Sequence, residues 1–444
     1  MKAKVFFFFL TLLVAAGSVS AQDYHYPLPA SDNTIIRAVD AQLSVVYSEP
    51  GSGLPYFLLD IDHIPTSIMF ELSNGLQVRD MRVLGRKLYF CGTAGGTQGM
   101  VGWFDVDSML NQIGFIYIAL SPSFTYFSVK DFIRMDMFWN GTGPEFALIG
   151  KTTFEYSSAY SYPTVCIAEA IQTIGGIMFN VFYNKDALIR YTDITCTDHH
   201  IVAVGPDSNG INTYMRVFPQ TSNFVFALPS NTSTWFLPFR YGTPLGRALA
   251  TRCDGECLDI IQHCNRANPF TMMHHIEIDA TGYPTTSCTT HYSTPGSSLS
   301  YFVNNWHLFD IDSRNDSTFF VERAEHPTSG ITGMNRWLSI FTHTPGMPLL
   351  AKTWSNGYLP SSVGLISGSS IKNAGPSPYS TLGISLSFST MAENSCEREG
   401  FTFPNFAPLF PARIYVSEGY ETKNVSLTAL RPFYFETRKD SMCE

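Results

Sequence analysis

The 444-residue sequence predicts an all-β chain assembled from a repeated unit, on three observations. A pattern returns at intervals of about 57 residues. Short runs rich in Val, Ile, Phe and Tyr are bounded by Gly, Asn, Asp and Ser, as in strands and turns. No sustained 3.6-residue periodicity follows the first apolar segment; only PTVCIAEAIQTI, Pro163 to Ile174, reads as either a short helix or a buried strand.

The clearest copies of the unit are DMRVLGRKLYFCG, Asp80 to Gly92, and DITCTDHHIVAVG, Asp193 to Gly205, each with Asp and Gly twelve positions apart. Weaker copies are DMFWNGTGPEFALIG, ending at Gly150 with two extra residues, ATRCDGECLDIIQ, ending at Gln262, and DIDSRNDSTFFVE, ending at Glu322. These end points are spaced by 58, 55, 57 and 60 residues. Ile35 to Asp62 reads as a further copy, and Ser362 to Phe388 as an eroded one, which brings the count to about seven. Each unit reads strand, tight turn, strand, longer turn, strand. Radial repetition of small antiparallel sheets limits exposed edges, and a period above 50 residues suits a β-propeller better than a solenoid. The expected architecture is a propeller of six or seven four-stranded blades, seven on this count, over residues 22–388. Residues 389–444 depart from the repeat and read as an irregular segment that closes the propeller.

The chain opens with Lys2 and Lys4, an apolar run from Val5 to Ala16, and small residues Val19 and Ala21. This is the pattern of a secretory signal peptide over residues 1–21. The run is short for a bilayer span, and no later one reaches that length, so the mature chain is expected to carry no transmembrane segment. Export places it in the periplasm or outside the cell, with the cell surface included. Cleavage removes two lysines and no acid, so 26 basic residues face 37 acidic ones, a formal charge of −11. No segment concentrates Lys and Arg, which argues against a nucleic-acid partner.

Nine cysteines, an odd number, leave at least one outside any intramolecular disulfide. Cys396 with Cys443, and a pair drawn from Cys253, Cys257 and Cys264, are the disulfide candidates, while buried thiols acting as small hydrophobes are the competing reading. Cys253, Cys257, His263 and Cys264 also form the densest set of potential metal ligands, but a second knuckle of the kind zinc favours is missing. No cofactor is expected. DIDSRNDS, Asp310 to Ser317, places oxygens like a calcium loop at its first and third positions only, and reads as an inter-strand turn.

The stretch KLYFCGTAGGTQGMVGWFDVD, Lys87 to Asp107, could pass for a phosphate-binding loop beside a thiol. No Lys-Ser or Lys-Thr closes it and a strand follows it, so Gly92, Gly95, Gly96 and Gly99 are expected to supply positive φ in a hairpin, with Cys91 in the strand core. Asp80, Asp136, Asp193 and Asp310 recur at one repeat position and read as structural, capping turns or bonding backbone. His199–His200 and His274–His275 each place one ring on either side of a strand. The six tryptophans read as packing residues with sugar stacking as the alternative.

The signal FFFFLTLLVAAGSVSAQ, the LYFCG strand, its partner MVGWFDVD and the echo HHIVAVG resemble those of uncharacterised exported propeller proteins of gut-dwelling Gram-negative bacteria, over residues 35 to 345. The resemblance implies an exported propeller and carries no catalytic motif. The expected function is a non-catalytic binding scaffold for a protein or glycan. The alternatives are a propeller-type glycan hydrolase or lyase with its site at the central funnel, and a structural component of a cell-surface assembly. No catalytic residue can be named from the sequence.

Overall fold

The computed structural model describes the strands between Tyr24 and Ser441 with several of their turns, and side chains chiefly within 45–110, 116–121, 128–151, 189–220 and 248–285. The expected signal peptide lies outside the described residues. Among the described residues the chain is all-β: six antiparallel sheets are each built on a meander of four sequence-adjacent strands. Sheet I comprises Asn33–Ala38, Leu43–Glu49, Tyr56–Ile61 and Thr66–Glu71; sheet II comprises Leu76–Leu84, Lys87–Ala94, Gln98–Asp105 and Ile116–Leu120. Sheet III is Phe127–Trp139, Pro144–Phe154, Ser157–Ile171 and Gly176–Asn184, so Pro163–Ile171 is strand and not helix. Sheet IV is Asp193–Cys196, His200–Pro206, Thr213–Pro219 and Ser233–Leu237. Sheet V is Thr243–Arg252, Cys257–Asn265, Phe270–Ile278 and Pro284–Tyr292, and sheet VI is Asn305–Arg314, Ser317–Pro327, Gly333–His343 and Leu349–Ser355. The one helix among the described residues, Val106–Leu110, starts at an Asp105 cap whose Oδ1 accepts the Ser108 N–H at 2.9 Å.

Each sheet packs against the next, and among the described residues an apolar core fills each of the four gaps from sheet I to sheet V. Sheets I and II share Tyr47, Phe57, Met81, Phe90 and Phe104, with the Phe57 and Phe90 rings 5.1 Å apart. Sheets II and III share Tyr89, Cys91, Val101, Phe132 and Phe146; sheets III and IV share Ile149, Ile194, Ile201 and Phe218; sheets IV and V share Val204, Met215, Leu258 and Ile276. A sheet covered on both faces loses the apolar–polar alternation of a half-solvated one. That explains LYFCG and HIVAVG, whose residues are buried without a break.

The repeat seen in the sequence coincides with this order. Gly92, Gly150 and Gly205 lie on the second strands of sheets II, III and IV, and Gln262 and Glu322 on those of sheets V and VI. Opposite these glycines the first strand is irregular. The ladder shifts between Val78 and Asp80 opposite Gly92, and between Phe132 and Arg134 opposite Gly150, with a further shift between Val129 and Asp131, while in sheet IV it is broken between the Ile189–Asp207 bridge and Asp193. A bulge folds the first strand over its neighbour, and only a residue without Cβ leaves room. A Cβ on Gly92 would stand 1.9 Å from the Gln77 carbonyl oxygen, and one on Gly205 would stand 2.1 Å from that of Arg190.

Two expectations are corrected here. Among the glycines of the Gly92–Gly99 stretch only Gly95 and Gly96 adopt positive φ; Gly92 and Gly99 are strand residues chosen for close approach, Gly99 against the Phe132 ring. Asp136 does not share the position of Asp80 and Asp193. Those two pair with Cys91 and Val204, the residues before the glycines, whereas Arg134 pairs with Ile149 in sheet III. The hairpin beyond this point is longer in sheet III, fifteen positions from Arg134 to Ile149 against eleven from Asp80 to Cys91, so Asp136 falls two residues past the repeat position.

The stretch from Ser362 to Phe388 contains a two-stranded hairpin, Ile366–Lys372 with Gly383–Phe388, and not a four-stranded unit. Its first strand touches the first strands of sheets I and VI. Residues 389–444, read from sequence as irregular, supply short strands to outer edges in reverse order. Ser395–Phe401 joins sheet VI, Ala412–Ile414 sheet IV, Glu418–Lys423 sheet III, Ser426–Thr428 sheet II and Pro432–Glu436 sheet I. Asp440–Ser441 then pairs with Tyr24–His25. These segments escape a sequence reading because a three- to seven-residue edge strand has too few positions to show a period.

Gly92→Ala and Gly205→Ala are each expected to destabilise the chain by about 3 kcal/mol or more, since backbone must move. Gly96→Ala, with nothing within 4 Å of the added Cβ and only its φ of +67° against it, should cost about 1–2 kcal/mol. Denaturant unfolding of the three variants measures the contrast.

Candidate functional site

Three groupings of ionisable side chains stand out. The first runs along the first strands of sheets II, III and IV. Asp80 is fully buried; its Oδ1 accepts the Met81 N–H at 2.9 Å and lies 3.0 Å from Arg82 Nη1, and its Oδ2 accepts the Met135 N–H of sheet III at 3.0 Å. Asp193 repeats the move one sheet pair later, accepting the Ala250 N–H of sheet V at 3.0 Å. Asp136 accepts the Cys196 N–H of sheet IV at 2.8 Å. Arg134 lies between the carboxylates, 3.9 Å from Asp80 and 3.7 Å from Asp193, and Arg82 reaches Asp136 at 3.5 Å. Thr192 adds a reciprocal pair with Ala248 backbone at 2.6 and 3.1 Å. Buried carboxylates need such partners, and these find them on the neighbouring sheet.

Beside this chain, Asp131 is held 3.3 Å from Arg79 and 3.9 Å from Lys151. Burial pushes its carboxyl above the usual range despite both cations, and its Oδ1 has no hydrogen-bond partner among the described residues.

The second grouping joins two turns. Glu256, just before the second strand of sheet V, takes the His199 N–H at 2.6 Å and Nδ1 at 2.8 Å on one oxygen. On the other it takes His200 Nδ1 at 2.8 Å and the Thr197 hydroxyl at 2.7 Å. Burial alone would raise the Glu256 carboxyl; the bonds from His200, Thr197 and His199 outweigh it and hold it below its ordinary value. His199, in the turn, is mostly exposed and His200 is buried.

The third grouping lies on the opposite face of sheet V. His275 Nδ1 is 2.7 Å from Asp259 Oδ1, and Cys257 Sγ is 3.4 Å from His275 Nε2. The bond to Asp259 and then the contact with Cys257 raise the imidazole to about 10 against the effect of burial. The companion ring, His274, points the other way and meets Gln262 at 2.7 Å in the interior.

Of the candidates named from sequence, Cys257 is thus beside a histidine, as a thiol and not in a disulfide. Its ladder partner is Glu277, so the ladder itself brings no cysteine to it from the third strand. Cys253 and Cys443 lie outside the described residues, as do the side chains of His263, Cys264 and Cys396. Cys91 and Cys196 are buried thiols, pushed well up by burial. Among the described residues no group of three His, Cys, Asp or Glu side chains could hold a metal ion. The Asp310–Ser317 stretch spans the end of one strand and the start of the next, with Arg314 paired to Ser317. The sequence reading missed Glu256, Asp259 and Arg134. The alternation Cys257-x-Asp259 on one strand, with His275 across a hairpin, was the available signal for Asp259. Comparison with protein-family models, curated proteins and solved structures found no match.

The Glu256 contribution to stability is complete above the ordinary carboxyl value near 4.5, and is lost as pH falls through its lower folded value. Glu256→Gln is expected to cost about 1–3 kcal/mol near neutrality. It should also flatten the acid limb of a plot of unfolding free energy against pH, which denaturant titrations across that range would show.

Proposed function

We propose that this chain is an exported propeller scaffold that binds a protein or glycan without turning it over. Support for the ring comes from the order of sheet-to-sheet packing and from the Ile366–Lys372 strand, which touches the first strands of sheets I and VI as a two-stranded filler of a six-bladed ring would. Support for export comes from the pattern of residues 1–21 and from the resemblance to exported propellers. Intact mass of the secreted protein is expected to place its first residue at Gln22.

One observation carries the non-catalytic reading. The carboxylates of Asp80, Asp136 and Asp193, on the strands that would face a funnel, accept backbone N–H groups of the next sheet. A general acid or nucleophile needs to exchange its partners with substrate; these side chains join blades. Asp131 favours the enzyme reading, since burial holds its carboxyl toward the protonated form suited to a glycosidic acid. Affinity electrophoresis in a panel of soluble polysaccharides, with reducing-end and unsaturated-uronide assays on the same mixtures, separates the two. Retardation without product is expected; product formation that Asp131→Asn abolishes would establish the hydrolase or lyase instead.

A further inference from the structure

We propose that Cys257, His275 and Asp259 form a thiol-exchange site that captures low-molecular-weight disulfides as mixed disulfides. This stands apart from the scaffold reading and does not rest on it. Cys257 and Asp259 share one face of the second strand of sheet V, and the ladder sets Asp259 opposite His275. Asp259 is buried, and its carboxylate fixes the ring through Nδ1 at 2.7 Å. Nucleophile, imidazole and orienting carboxylate therefore lie in sequence within contact distance, the arrangement that activates a thiol.

The sulfur position decides which chemistry follows. Sγ is 3.4 Å from Nε2 and 3.6 Å from Nδ1. A linear Nε2–H···S bond would leave Nδ1 a ring-width farther away, as an acyl-transfer triad requires. Here the sulfur lies against the ring as a whole, so the imidazolium stabilises a thiolate electrostatically and does not shuttle a proton in line. Among the described residues the other charge set near it by the ladder is Glu277, which is exposed; Cys288 is the ladder partner of His275. Cys257 is also partly exposed, unlike the buried Cys91 and Cys196.

In the exchange the Cys257 thiolate attacks one sulfur of the incoming disulfide. The new S–S bond forms as the old one breaks, and its electron pair leaves on the second sulfur as a thiolate that solvent protonates. Cys257 is oxidised, half of the reagent is reduced, and no other oxidant enters.

The test uses the mature chain with dithiodipyridine and, separately, oxidised glutathione, followed by peptide mass mapping. Cys257 is expected to be modified ahead of Cys91 and Cys196, and to keep its rate down to about pH 6. His275→Gln and Asp259→Asn should each slow it on the order of tenfold there, with unchanged circular dichroism, and Cys257→Ser should remove the fast phase. Modification no faster than in the urea-unfolded chain, or a pH profile unmoved in a folded His275→Gln or Asp259→Asn variant, overturns the proposal. Should one variant fail to fold, the other and the comparison with the unfolded chain still decide.

Discussion

A carboxylate on the first strand of one sheet, accepting a backbone N–H from the first strand of the next, is the contact on which the rest of this structure depends. It appears at Asp80 toward Met135 and again at Asp193 toward Ala250. A buried ion is costly unless paired and hydrogen-bonded, so each such aspartate demands its neighbour in one position. The apolar cores between sheets supply attraction but little directional preference. The carboxylates add the registration.

The bulge and the glycine follow from that demand. On an undisturbed ladder side chains stand on alternate faces of the sheet; a shift just before the aspartate breaks that alternation and re-aims its side chain. The bulged backbone then presses on the second strand, where Gly92 and Gly205 leave room. Sheet III solves the same problem differently. Arg134 stands where sheets II and IV have Asp, placed between Asp80 and Asp193, and Asp136 takes over the bond to Cys196. Charges alternate along the three strands, so no carboxylate of the series faces another without a guanidinium close by.

The same geometry separates structural from chemical groups on sheet V. One face of its second strand looks toward sheet IV, where Glu256 at its start joins the two turns through four hydrogen bonds. The other face carries Cys257 and Asp259 against His275, half-open to solvent. Side chains two residues apart on a strand share a face, and adjacent ones do not. A single strand therefore serves both ends.

By itself the sequence determined the all-β class and the spacing of the units, because turn residues and apolar runs act over a few positions. The twelve-residue step from Asp80 to Gly92 and from Asp193 to Gly205 was legible for the same reason: it is one hairpin long. Only the tertiary structure decided what each carboxylate bonds, that Arg134 and not Asp136 takes the repeat position, and that the C-terminal strands add to outer edges. It also decided that Cys257 meets His275. Those outcomes depend on partners brought together by register and sheet packing, 55 and 57 residues away for Asp80 and Asp193, and a side chain's local pattern carries no record of which distant backbone will stand opposite it.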